Sequence, residues 1–202
     1  YLQIWSTYHS GMIFLEQYQV EKAKEYFQKL ESIAKKRGSD REAGYSILGM
    51  AFCSLYSGES SEIVEKMAQK SLEIGNNFGE SFLSAQSYYL MACIHEKDQK
   101  LGKAKEYLDY SKEGYINLGL KWMANRLFQR YAHLFIMAQK PESATKFLDE
   151  AEKNALEMGD QYCVADNYFE RAILAAKTKK VEEAIKLLDR KSTRLNSSHG
   201  KL

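Results

Sequence analysis

Proline is nearly missing from this chain: Pro141 stands alone among 202 residues, and clusters of turn-forming residues are few. Strands need frequent turns between them, so this scarcity argues against a β-rich fold. No uninterrupted apolar run approaches the length needed to cross a bilayer, and no signal peptide is visible. A cytoplasmic protein without membrane contact is expected. The three cysteines, Cys53, Cys93 and Cys163, are widely spaced and form no Cys-x-x-Cys pair, which points to buried reduced thiols and away from a metal or redox site. There is no Gly-x-x-x-x-Gly-Lys phosphate loop, no His-Glu-x-x-His pair and no Gly-x-Ser-x-Gly elbow. His9, His95 and His133 fall on different expected first helices, about a repeat or more from one another, and stacked repeats hold successive positions roughly a helix diameter or more apart, whereas catalysis needs converging groups. No catalytic residue, metal or cofactor is therefore expected, and the chain reads as a non-enzyme.

What the chain does have is a period. Ala23, Val64, Ala104, Ala144 and Ala184 recur at intervals of 41, 40, 40 and 40 residues. Gly11, Ala51, Ala92, Ala132 and Ala172 form a second row at 40, 41, 40 and 40. The rows lie 12 residues apart in four repeats and 13 in the second, enough to finish one helix, turn and begin the next. Apolar residues follow the second row at helical spacing, as in Ala23, Phe27 and Leu30 or Ala144, Leu148 and Ala151. A small residue in each helix lets two backbones approach, and the larger side chain a turn later fills the seam. Five helical hairpins result. First helices are expected near 2–15, 41–56, 80–97, 121–138 and 161–177, and second helices near 21–36, 61–74, 102–117, 141–157 and 181–188. Gly38, Gly75, Gly119 and Gly159 are read as the left-handed stops of the complete second helices, and Pro141 as the first residue of one.

The phrases Glu-Lys-Ala-Lys-Glu-Tyr-Phe at 21–27 and Gly-Lys-Ala-Lys-Glu-Tyr-Leu at 102–108, with their twelve-residue offset, resemble the tetratricopeptide (TPR) family over residues 1–188. HEAT or armadillo repeats, which also run at about 40 residues, are the alternative. The period here exceeds the usual TPR length of about 34 residues, and the usual late proline is missing. The longer period is similar to TPR arms of bacterial signalling regulators: large regulatory ATPases, maltose-activator-like transcription factors and cyclase-linked sensors. The resemblance implies an all-α, right-handed superhelical α-solenoid of about five antiparallel hairpins.

The final residues break the pattern. Asp189 to His199 resembles the in-frame translation of a common short-read sequencing adapter, with Gly200 to Leu202 as the barcode after it. Residues 1–188 are thus expected to be the repeat array, a fragment open at both ends since Tyr1 opens inside a helix, and 189–202 a non-native tail. Residues 189–202 carry four Lys/Arg and one Asp, so the remainder has 25 basic and 26 acidic residues and its net charge falls from +2 to −1. With no basic stripe, nucleic-acid binding is not expected. The mixed charges of the second helices read as a solvated surface.

In arrays of this family the first helices line a concave, partner-binding face. Relative to the row of Gly11, the resemblance places groove positions six residues before (Trp5, Tyr45, Gln86, Arg126, Asp166), three before (Tyr8, Leu48, Tyr89, Gln129, Phe169) and one after (Met12, Phe52, Cys93, His133, Ile173). Long first helices bury more than one face, so several of these aromatics have a core reading as well. The first three repeats offer no Lys, Arg or Asn here, which disfavours a clamp for a C-terminal carboxylate and favours an apolar or amphipathic segment, such as a helix. The expected function is a protein- or peptide-binding sensor or scaffold arm of a larger signalling or transcription regulator, its output domain covalently attached outside these residues. The alternative is a ligand-sensing array that changes superhelical pitch around a small molecule or signal peptide. Beyond Leu188, the apolar side of the last first helix, with Tyr168, Phe169 and Ile173, is expected to lose part of its cover.

Overall fold

A computed structural model of the chain describes residues 2–199, with side chains described through Lys191. Among the described residues there are ten α-helices and no strand: α1 (Leu2–Glu16), α2 (Val20–Arg37), α3 (Asp40–Tyr56), α4 (Ser61–Asn77), α5 (Ser81–Lys97), α6 (Leu101–Asn117), α7 (Lys121–Met137), α8 (Pro141–Met158), α9 (Gln161–Lys177) and α10 (Val181–His199). The helix expected to stop at Leu188 continues to His199. Tyr1 and Gly200–Leu202, on which the readings of an open start and a barcode fall, lie outside the described residues. The chain divides into two compact units, one through Leu118 with α1–α6 and one from Gly119 with α7–α10. Within each unit every helix packs on its successor, and first helices also pack on first helices: α1 on α3, α3 on α5, and α7 on α9.

The two small-residue rows lie where the hairpin helices press together. Ala23, Val64, Ala104 and Ala144 are wholly buried, as are Ala51 and Ala132. Phe27 shows why the neighbouring positions are small: a Cβ on Gly11 would come within 2.6 Å of its ring, and one on Gly49 within 2.1 Å. The ring is clamped between α1 and α3, and complete burial of such a side chain is worth roughly 1.5–3 kcal/mol.

The helix ends follow a second period. Tyr18, Gly58, Gln99, Gln139 and Lys179, each seven residues beyond the Gly11 row, have φ between 56° and 81°. Gly38, Gly79, Gly119 and Gly159 take the same conformation between repeats. At Tyr18, Gly58, Gln99, Gln139 and Lys179, and at Gly38, Gly79 and Gly159, the left-handed residue's N–H donates three residues back and the next N–H five residues back, as Gln99 to Glu96 (2.9 Å) and Lys100 to His95 (2.8 Å), which ties off the last carbonyls of the helix. Gly75 is therefore corrected as a stop. It lies inside α4, four residues ahead of the period, and is buried because a Cβ there would meet Ser84 Oγ at 2.6 Å. Pro141 does begin α8, where its missing N–H costs no helical bond. No described helix is long and apolar enough to cross a membrane.

Candidate functional site: the first-helix register

In the first unit the register inferred from the resemblance is filled by its own rings. Trp5 on α1 lies 5.5 Å from Tyr45 on α3 and 5.1 Å from Phe82 on α5, ring centre to ring centre. Tyr8 meets Tyr45 edge-on at 5.3 Å and Phe27 at 6.0 Å. Such tilted arrangements are the favoured ones for aromatic pairs and add about 0.5–1.5 kcal/mol beyond area burial. Tyr8, Tyr45, Leu48, Phe52 and Gln86 are buried as a result, so they follow the core reading. Trp5, Met12, Tyr89 and Cys93 keep partial exposure. The physical reason is side-chain size: rings on three consecutive first helices reach across the face and cover one another. A polar contact lies at its edge, where the Tyr45 hydroxyl donates to Glu80 Oε2 at 2.9 Å and Arg41 pairs with the same carboxylate. Burial pushes the Tyr8 hydroxyl far above its ordinary acidity range, so it stays protonated.

The second unit places polar groups at the same register. Arg126 and Asp166 are exposed, Phe169 is 43% exposed, and Gln129, His133 and Ile173 are partly so. Gln129 Nε2 donates to the carbonyl of Cys163 at 2.7 Å, tying α7 to α9. One turn on, His133 Nδ1 lies 3.0 Å from Glu170 Oε2, a separation at which a protonated nitrogen donates to the carboxylate. The Arg126 guanidinium sits over Trp122 at 5.4 Å. Lys191, near the middle of α10, lies 3.3 Å from Asp166 and 4.5 Å over the Phe169 ring, so it covers part of α9. On the other side of α9, Arg171 binds Asp149 and Glu152 of α8 at 2.6 and 3.0 Å.

Two features escaped sequence reasoning. Five residues before the Gly11 row, Ser46 donates to the carbonyl of Phe27 (2.9 Å) and Asn167 to that of Leu148 (2.7 Å), each reaching the preceding second helix four residues past its small residue. A helical carbonyl has a second lone pair for such a bond. The signal was present as a periodic small polar residue: Ser6, Ser46, Ser87 and Asn167. The second feature is His95, buried and stacked on Tyr107 (5.2 Å between centres, 9° between planes) with Glu65 at 3.6 Å. Burial lowers its pKa first, Lys100 and Lys103 lower it further, and Glu65 and Asp98 oppose them.

No three described His, Cys, Asp or Glu side chains converge in a way that could hold a metal ion. Cys53, Cys93 and Cys163 form no disulfide. Burial pushes Cys53 and Cys163 up to about 11, which keeps them protonated and unreactive at neutral pH. A cleft of about 290 Å³ opens in the first unit between α4, α5 and α6, lined by Gly75, Ser84, Tyr88, Tyr110 and Gly114 among others. Gly75 and Gly114 are accounted for by packing, since a Cβ on Gly75 would meet Ser84 at 2.6 Å and one on Gly114 would meet Ala85 at 2.8 Å, and Gly79 by its left-handed turn.

No family model and no curated protein matches the sequence. Solved structures do match it. Two structures of a Podosopora anserina putative kinesin light chain with nearly identical TPR-like repeats, one of them a single-residue variant, each share 13% identity over 96% of this chain and 95% of theirs, with TM-scores of 0.64 for the variant and 0.62. BtubC (BKLC) from P. vanneervenii aligns over 94% of this chain and 78% of its own at a TM-score of 0.68, again with 13% identity. The fold is thus that of TPR-like helical repeats, an all-α solenoid. At this identity the likeness speaks to fold alone.

Proposed function

We propose that this chain is a non-catalytic protein- or peptide-binding repeat module, the sensor or scaffold arm of a larger signalling or transcription regulator. The observation that carries the reading is the exposure of Arg126, Asp166 and Phe169 at equivalent positions of α7 and α9, beside the partly exposed Gln129 and His133. One apolar ring among groups of both signs suits an amphipathic segment that sets an apolar side chain on Phe169 and charged ones beside it. In the first unit taken by itself, only Trp5, Met12, Tyr89 and Cys93 of the register are partly exposed, and the rest of it is buried. The TPR-like fold supports the reading in that its first helices pack side by side and present one face of successive repeats.

The test is selection of peptides from a random display library against the whole chain, followed by calorimetry on the enriched sequences. Arg126→Glu and Phe169→Ala should each weaken binding at least tenfold at unchanged melting temperature, corresponding to about 1.4 kcal/mol or more. No enrichment, or binding indifferent to both substitutions, would exclude this site. Residues 1–188 are taken as the native array and 189–202 as an adapter-derived tail. Sequencing the source locus across codon 188 decides this: a frame continuing into another domain supports it, and a genomic Asp189–Leu202 followed by a stop overturns it.

A further inference from the structure

The third repeat departs from its neighbours along one stripe of its second helix. Six residues after the small residue, the first, second and fourth repeats carry Lys29, Lys70 and Glu150, whereas α6 carries Tyr110. Ten residues after it they carry Ile33, Ile74 and Asn154, whereas α6 has Gly114. Stacking of the repeats needs no ring at the first position, since the other three set a charged group there. The two changes act together. Tyr110 supplies a wall, Gly114 one turn on leaves space beside it, and both line the cleft of about 290 Å³ between α4, α5 and α6.

Tyr88 of α5 lines the same cleft, its ring centre 5.2 Å from that of Tyr110 and its plane tilted by 39°. Tyr107 completes a triangle of rings, 6.2 Å from Tyr88 and 6.4 Å from Tyr110. Tyr110 is exposed and the other two partly so. The charges that act on these rings are carboxylates. The Tyr110 hydroxyl donates to Glu106 Oε1 at 3.2 Å, which leaves more electron density on its ring. Burial, then Glu65 and Glu106, hold the Tyr107 hydroxyl above its ordinary value. Among the described residues Glu106 has no ion pair, and no Lys or Arg stands over any of the three rings. Ring faces carry negative potential, so three of them beside two carboxylates attract an organic cation.

We propose that this cleft binds a small molecule with a fully alkylated ammonium head, seated against Tyr88, Tyr107 and Tyr110 with Glu106 beside it. The side chains next to the rings are those of Gly75, Ala85 and Gly114, which offer no acceptor. A primary ammonium or a guanidinium brings several N–H donors that need acceptors, and a quaternary head brings none. The rest of the ligand has polar partners of its own. Ser84 Oγ donates to Asn76 Oδ1 at 2.9 Å, which leaves the Asn76 amide N–H groups, with the Ser81 and Asn117 side chains, open to a hydroxyl or carboxylate. That second set of contacts, in a cleft at the lower end of the roughly 300–1,000 Å³ of ligand pockets, favours one small molecule over the side chain of a long peptide. The site lies wholly in the first unit and does not rest on the peptide reading.

Saturation-transfer NMR on the full chain tests this with choline and with its neutral isostere, in which a tert-butyl group replaces the trimethylammonium. Choline should bind more tightly than the isostere by about fivefold or more. Tyr110→Lys, which installs the residue type of the first two repeats, should abolish choline binding at unchanged helicity. Tyr110→Phe keeps the ring and should retain it. An isostere that binds as well as choline would make the cleft merely apolar and overturn the proposal. So would the absence of choline binding, choline binding that survives Tyr110→Lys, or tighter binding of a trimethyl-lysine peptide than of choline.

Discussion

In the first unit the register of α1 and α3 carries Trp5, Tyr8 and Tyr45, and these rings, with Phe82 of α5 outside the register, turn a helical face into core. In the second unit the same register on α7 and α9 carries Arg126, Gln129, His133, Asp166 and Phe169, and hydrogen bonds and ion pairs tie it together at the surface. The backbone unit is the same in both. Register therefore decides which residues face which helix, while side-chain size and polarity decide whether that face is open. An exposed charge keeps its hydration and holds the face accessible, whereas an aromatic ring gains by covering its neighbour.

The comparison is broken most severely at Phe27. Its replacement by Ala should cost about 3–5 kcal/mol, since the ring is wholly buried between Gly11 and Gly49 and no neighbour can fill the space. Urea unfolding read by circular dichroism would measure it. A loss under 1 kcal/mol would mean that the clamp is not the anchor of the first unit. In the second unit Arg171→Met should cost less, about 1–3 kcal/mol, because its ion pairs reach solvent: the Asp149 side chain is 63% exposed. That loss should shrink in high salt, and the loss at Phe27 should not.

A smaller effect comes from His95. Its pKa in the folded chain lies below the ordinary value, so the unfolded chain binds more protons at mildly acidic pH. The stability owed to neutral His95 is fully present above the unfolded value of about 6.5 and is lost as pH falls below it. His95→Phe should flatten the dependence of melting temperature on pH between neutral and mildly acidic conditions. An unchanged slope would assign it to other groups, such as His9, whose pKa is lowered in the same direction by partial desolvation. The smallest effect is a gain. Gln99 holds φ of 61° at the turn position where the second repeat has Gly58, so Gln99→Gly should stabilise by up to about 1 kcal/mol, read as a small rise in melting temperature.

Much of the fold was legible in the sequence because small residues repeat wherever two helices touch. The expected 161–177 helix coincides with α9, and most other helix boundaries fall within a residue or two. Gly75 misled because a glycine near a helix end has two uses, stopping the helix or admitting a neighbour, and composition does not tell them apart. The hairpin turns fell between the expected helices, but the left-handed conformation of Tyr18, Gln99, Gln139 and Lys179 did not show, because left-handed backbone without glycine carries no compositional signal. The candidate site was legible as a register and illegible as a surface. Nothing in the spacing of Tyr8 or Tyr45 says that Trp5 closes over Tyr45 or that Tyr45 and Phe27 close over Tyr8. The seam donors Ser46 and Asn167 were periodic but of different residue types, which concealed one role under two names.

The central claim, that one register is closed in the first unit and open in the second, is tested most directly by hydroxyl-radical footprinting of the whole chain with residue-level mass spectrometry. Tyr18, 82% exposed, sets the rate of an open ring. Tyr8, Tyr45 and Phe52 should be modified far more slowly than Tyr18, and Phe169 at a rate approaching it. Tyr8 and Tyr45 reacting as fast as Tyr18, with Phe169 protected, would contradict the account.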